Sequence, residues 1–278
     1  MVESLREDPV TVTTTGRSAP LLSCRGVSKY FGAMAAVKDF SFDLAKGEVL
    51  GIGGPNGAGK TTVFELISGF NQPDGGLILL EGRQIAGLPP HAICHLGVAR
   101  MFQSNAGFDS LTAEQNVLVA AAFGHAPRMF PPLSYSAETR RAAAEALAFV
   151  GYHRSPSATV GSLPALDRKL LMIASAFVTR PKILMMDEPV GGLNAEEIDQ
   201  LMLLVRKLVG AGITIMLIEH VMRFLVQLST RVIIMNHGEK IFEGPPAALA
   251  HDDEVKRVYL GERMSSRVVA YSSVPGPS

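Results

Sequence analysis

The stretch "GPNGAGKT", Gly54 to Thr61, matches the pattern G-x-x-x-x-G-K-[ST]. Residues of these types at this spacing hold phosphate. Gly54, Gly57 and Gly59 let backbone N–H groups curl around phosphate oxygens, and a helix starting there adds its positive dipole end. Pro55, Asn56 and Ala58 fill out the loop. Lys60 is placed to neutralise β- and γ-phosphate charge, Thr61 to offer its hydroxyl to Mg2+, and Thr62 follows in the same binding segment. A second constellation is "ILMMDEP" (183–189), an apolar run ending in two acids. Asp187 suits the Mg2+ shell. Glu188, one residue on, suits a general base that polarises an attacking water. Gln103 closes the run "VARMFQ" and His220 closes "MLIEH". Both sit at C-terminal strand ends, the edge where open α/β sheets place ligands.

Such residues need a scaffold, and the pattern on either side supplies one. "GEVLGIGG" is a short apolar strand running into the glycine loop, and "TVFELISG" continues as a helix that stops at Gly69. Phe40, Phe42 and Leu44 alternate with Ser41 and Asp43, the period of a half-buried strand. "LLSCRGVSKYFG" and "GGLILLEGRQI" add further strands, the second with the look of a hairpin arm, and "LGVARMFQ" is another. From about Leu111 to Ala176 the chain turns Ala-rich and helix-favouring, broken by the loop "GHAPRMFPPLSY". Strand–helix alternation returns in "KILMMD", "AEEIDQLMLLVRKLVGAG", "ITIMLIEH", "VMRFLVQLS" and "RVIIMNHGEKIFEG". The expectation is an α/β core over 21–263 carrying an inserted helical subdomain at about 105–176, with flexible tails at 1–20 and 264–278.

Composition narrows the function classes. Lys+Arg and Asp+Glu both number 26, a formal net charge of zero, so no basic excess draws the chain to nucleic acid or an anionic membrane. The two cysteines, Cys24 and Cys94, form no framework and point to a reducing compartment. The start, "MVESLREDPVTVTTTGRSAP", is too polar for a secretory signal. The runs "ILMMDEPVGGL" and "ITIMLIEHVM" are too short to span a bilayer and each is broken by an acid, as expected of buried parallel strands.

The order of these pieces (phosphate loop, Gln103, helical insert, "LMMDEP", His220) resembles the nucleotide-binding subunit of ABC transporters over about residues 21–262. The resemblance implies a P-loop NTPase core with a mixed sheet plus an inserted helical subdomain, binding ATP and Mg2+ and hydrolysing ATP to drive transport. It implies that Gln103 touches Mg2+ and the attacking water, and that His220 contacts the γ-phosphate and steadies Glu188. An aromatic ring ahead of the phosphate loop stacks on adenine in that family. Phe31 in "KYFG" is best placed and Tyr30 next. Stacking accepts any purine, so the choice of ATP over GTP rests on the resemblance.

Within the family, "GVARMFQ", "IEH" and "VYLGE" resemble the importer branch for branched-chain amino acids and related amides. The exporter branch serving lipopolysaccharide shares the "VYLGE" ending and is the first alternative. A soluble ABC-type ATPase on ribosomes or DNA is the second; it lacks support from any coiled coil, second ATPase half or basic surface. The implied partners are integral membrane permease subunits, a second ATPase subunit and, indirectly, an extracytoplasmic binding protein, with this chain peripheral on the cytoplasmic face. The family's signature loop, Leu-Ser-Gly-Gly-Gln, falls by counting on Leu163, Pro164, Ala165, Leu166 and Asp167. In the family that loop contacts the nucleotide of the facing subunit. Pro164 has neither hydroxyl nor N–H, Leu166 is bulky and Asp167 is negative, so the half-site lent to a partner reads as weakened and the partner as a different ATPase subunit. Arg168 and Lys169 are candidates to restore positive field there. Asn194 in "GGLN" stands where many relatives have Asp.

Overall fold

The computed structural model describes residues 19–102, 108–124 and 134–260. Gln103, most of the loop "GHAPRMFPPLSY", most of the tail 1–20 and all of the tail 264–278 lie outside the described residues. Strands β1 (Leu22–Phe31), β2 (Met34–Leu44) and β3 (Val49–Gly53) lead into helix α1 (Lys60–Ile67). Strands β4 (Gly75–Leu80) and β5 (Arg83–Gln84), helix α2 (Pro90–His95) and strand β6 (Val98–Met101) follow. Three helices come next: α3 (Ala113–Phe123), α4 (Ala137–Phe149) and α5 (Ala165–Phe177). The chain then alternates through β7 (Ile183–Asp187), α6 (Ala195–Gly210), β8 (Thr214–Ile218), α7 (Met222–Leu228), β9 (Arg231–Asn236) and β10 (Glu239–Gly244).

Two sheets form. An antiparallel one runs β2-β1-β4-β5, and a six-stranded one runs β10-β9-β3-β8-β7-β6, parallel except for β10 on β9. In β2, Phe40, Phe42 and Leu44 are buried while Asp43 is exposed, as the alternation requires. The central strands β3, β7 and β8 are buried at every position, because both faces of this sheet are covered. Alternate side chains of one strand therefore feed two cores. Ile183 and Met185 pack with α1 residues Val63, Phe64 and Ile67, against the antiparallel sheet. Leu184 and Met186 pack with residues of α3, α5, α6 and α7 on the other side. The parallel order sends the C-terminal ends of β3, β6, β7 and β8 to one edge. That is what collects the chemistry.

The strands stop earlier than the sequence pattern indicates. β6 ends at Met101, two residues before Gln103, and β8 ends at Ile218, two before His220. His220 lies on the turn into α7 rather than on the strand. There Glu219 turns its carboxylate back onto the backbone N–H groups of His220 and Val221, which ends the ladder.

Candidate functional site

The glycine loop begins where β3 ends. Gly54 and Gly59 are required by geometry as well as by type. Gly54 has φ 138° and a Cβ there would meet the Met235 carbonyl oxygen at 2.2 Å, while Gly59 has φ 98° and a Cβ would meet the Ala36 carbonyl oxygen at 2.1 Å. Gly59 caps α1 without a side-chain hydrogen bond, and no acid lies in the first turn. The first N–H groups of α1 are thus free of competing carboxylates at a dipole end that favours anions.

Lys60 is buried, and its Nζ donates to the carbonyl oxygens of Gly54 and Pro55, each at 2.8 Å. Burial pushes its ammonium below the ordinary lysine value, and Glu188 and Asp187 draw it partly back. The loop, Thr61 and Thr62 line a cleft of about 790 Å³ together with Phe31, Glu188 and His220. Phe31, 46% exposed, presents its ring in that cleft, whereas Tyr30 is not among the lining residues. Met34, Ala35, Ala36 and Met222 complete the wall; being apolar, they carry no signal that sequence reading could have used.

Asp187 ends β7 almost wholly buried. Its Oδ2 accepts a hydrogen bond from Arg100 Nη2 at 3.0 Å, and its Oδ1 has no partner among the described residues. Burial pushes the carboxyl up and Arg100 pulls it back. Removing one partner of such a buried pair costs on the order of 3–5 kcal/mol. Sequence reading missed Arg100; an arginine inside the apolar run "GVARM" was the available signal.

Glu188 takes a left-handed φ of 47°, with its N–H on the Ile218 carbonyl at 2.9 Å. A non-glycine residue in that region is strained by roughly 1–3 kcal/mol, and such strain clusters at reacting centres. Nδ1 of His220 stands 3.8 Å from Glu188 Oε1 and 3.9 Å from Glu219 Oε2. Glu219, fully buried, is the second residue missed. Beyond His220 and Val221 it accepts the N–H of Val190 at 3.0 Å, so one carboxylate ties the segment after Glu188 to the segment carrying His220. Burial pushes Glu219 up, with the backbone N–H groups and His220 opposing. Lys169, 6% exposed on α5, is turned inward, with Glu219 and Glu188 as the charges it feels.

At the α5 N-terminus, Pro164 occupies the cap position and makes no side-chain cap hydrogen bond. Asp167 pairs with Arg154, and Arg168 donates to the carbonyl oxygens of Leu163 (2.9 Å) and Gly161 (2.5 Å). The positive field expected from Arg168 and Lys169 is therefore not aimed out of this loop: one is bonded to its own carbonyls and the other is buried.

The residues present fit a nucleoside triphosphate and a hard cation. A loop that admits no side chain at Gly54 or Gly59 opens onto a helix end without a side-chain cap, an aromatic ring flanks the cleft, and an orphaned carboxylate oxygen belongs to the end of β7, two strands from β3. Fold and site together define a P-loop nucleotide-binding ATPase core. Residues 37–191 match the family described as ABC transporter, and this chain belongs to that family. It is 37% identical over 253 residues to the high-affinity branched-chain amino acid transport ATP-binding protein BraF of Pseudomonas aeruginosa, covering 88% of this chain and 99% of BraF. It is 38% identical over 253 residues to LivG of Escherichia coli K12, a protein of the same description, with the same coverage. Among solved structures, the ADP conformation of MJ1267, an ATP-binding cassette of an ABC transporter, superposes with a TM-score of 0.80 at 28% identity, covering 88% of this chain and 100% of that one. Among the described residues no helix is long and apolar enough to cross a membrane.

Proposed function

We propose that this chain is the ATP-hydrolysing motor subunit of an importer for branched-chain amino acids or related amides, peripheral on the cytoplasmic face of the membrane. The observation that carries this is the 37–38% identity across nearly the full length of BraF and LivG, together with the complete set Lys60, Asp187, Glu188 and His220. In this reading Phe31 stacks on adenine, the segment Gly54–Thr62 holds the phosphates, and Lys60 exchanges its loop carbonyls for phosphate oxygens. Thr61, Asp187 and Gln103 would hold Mg2+, which would supply positive charge against that of the phosphates. Glu188 takes the proton of the attacking water, and His220 orients Glu188.

The residues at about 105–176 act as the inserted helical subdomain. Between α3, α5 and β6 lies an apolar groove of about 260 Å³, with Phe102, Phe108, Val119, Ala120 and Met172 in its walls. Phe108 is exposed at its rim. We read it as the seat of a short helix from the permease subunit, since transporter ATPases must be held by a membrane partner. A second, different ATPase subunit and an extracytoplasmic binding protein complete the assembly.

The test is reconstitution of the chain with its permease subunits, second ATPase subunit and binding protein in liposomes. ATP-dependent uptake of leucine, isoleucine or valine is expected. An assembled complex that hydrolyses ATP but takes up none of these, nor a related amide, moves the assignment to another ABC system.

A further inference from the structure

Arg100 stands between two regions that have so far been separate. On one side its Nη2 donates to Asp187 Oδ2 at 3.0 Å and its Nη1 to Ser68 Oγ at 3.3 Å. On the other its guanidinium lies 4.9 Å from the Phe102 ring centroid and 5.8 Å from those of Phe64 and Phe70. Phe70 and Phe102 meet edge to face at 5.2 Å. Arg100 and Phe102 both line the apolar groove. A single side chain thus touches the buried strand-end acid next to the cleft-lining Glu188 and forms part of the groove wall.

Burial makes the contact strong and specific. The side chains of Arg100 and Asp187 are 6% and 3% exposed, so little water screens the pair. A planar guanidinium can hydrogen-bond along its edge and stack across its face at once, which an ammonium cannot. Two atoms of the contact lack partners among the described residues, Arg100 Nε and Asp187 Oδ1. A buried donor and acceptor left unmet are costly, and such a place gains when a ligand or a shift completes it. With Oδ2 held by Arg100, Oδ1 remains as the oxygen available to a cation or its water.

We propose that Arg100 is a positioning residue joining the groove to the phosphate site. It holds Asp187 Oδ2 so that Oδ1 is kept for the cation shell, and its stacked face transmits movement of a segment docked in the groove to that carboxylate. The second half rests on the groove reading given above; the first does not.

Binding of ATP to the full chain is measured with and without Mg2+, and the Mg2+ gain is the ratio of the two affinities. Arg100→Gln is expected to lower that gain about tenfold, leaving the Mg2+-free affinity within about twofold, the scale on which residues behind a metal ligand act. An unchanged gain overturns the hold on Asp187. Arg100→Lys keeps the charge and loses the stack. In the complete transporter, it is expected to assemble normally while acceleration of hydrolysis by the substrate-loaded binding protein falls about fivefold or more. Phe102→Leu leaves the ion pair in place and is expected to do the same, which keeps the link testable should Arg100→Gln not fold. Full acceleration in both variants overturns the link. Failure of the groove reading is distinguishable: Cys94, in the groove wall, would react with a maleimide as fast in the complex as alone. The link then falls, and the hold on Asp187 is judged on the Mg2+ gain alone.

Discussion

Lys60 is held in place by its own loop, through two carbonyl oxygens, before any phosphate arrives. That pre-alignment makes its charge the main favourable term for the γ-phosphate. Lys60→Ala is expected to lose several kcal/mol, on the order of 2–5, of ATP affinity, measured by equilibrium titration. Micromolar binding in that variant would count against the loop as the phosphate site. Glu188 differs in kind, because its part begins after binding. Glu188→Gln keeps shape and is expected to retain ATP affinity while turnover falls about 100-fold or more. Near wild-type hydrolysis would remove Glu188 as the base. Glu219 touches neither phosphate nor water in this scheme, yet it fastens Val190, His220 and Val221 by their N–H groups. Glu219→Gln is expected to slow turnover about tenfold or more at near-constant ATP affinity, as misplacement of reacting groups does. Its stability should change with pH in a defined sense. Because burial raises this carboxyl above its ordinary 4.5, the folded chain binds the proton more tightly than the unfolded chain. Wild-type stability therefore falls as pH rises from 4.5 through the raised value, and Glu219→Gln is expected to flatten that part of the profile in denaturant titrations at stepped pH.

At the scale of elements, two helix starts matter most, and they are built in opposite ways. Helix α6 begins with a full capping box: Asn194 Oδ1 accepts the N–H of Glu197 at 3.0 Å, and Glu197 Oε2 accepts the N–H of Asn194 at 2.8 Å. Asn and Asp serve almost equally as caps, so the departure at Asn194 leaves this helix start intact. Asn194→Ala is expected to cost about 1 kcal/mol. A thermal scan should show the midpoint falling by about 2–4 °C, with Asn194→Asp close to wild type. An unaltered midpoint in Asn194→Ala would mean that packing alone sets the α6 start. Helix α5 begins at Pro164 with no cap hydrogen bond, an acid in its first turn and Arg168 folded back onto Leu163 and Gly161. Its dipole end is poorly disposed to phosphate.

That contrast sets the expectation for the whole molecule. The family resemblance implies that two ATPase subunits close face to face, each loop at the α5 start meeting the nucleotide held by the other. Two copies of this chain would have two weakened sites. A different subunit with an intact loop would leave one strong site, formed with this chain's Lys60, Glu188 and His220. Glu188→Gln with ATP is expected to remain monomeric at micromolar concentration by light scattering, each missing charge-assisted hydrogen bond costing about 1.5–3 kcal/mol. Adding the partner subunit should produce the closed dimer, and Pro164→Ser with Leu166→Gly should raise self-association. A robust ATP-dependent homodimer of Glu188→Gln would sink the weakened-site argument.

Much of this was legible along the chain. The glycine loop, the strand-end acids and the alternation in β2 follow from local rules: positive φ needs glycine, buried parallel strands read as apolar runs, and a half-buried strand repeats every second residue. These rules act over a few residues, so type and spacing suffice to place Lys60, Asp187, Glu188 and the α/β core. The order Phe31 before Tyr30 was also legible, and the structure agrees: Phe31 lines the cleft and Tyr30 does not. Tertiary structure alone decided that Arg100 meets Asp187, 87 positions away, and that Glu219 meets Val190, 29 away. These contacts arise where parallel strands from distant parts of the chain end at one edge, and no local pattern encodes which buried charge will find which partner.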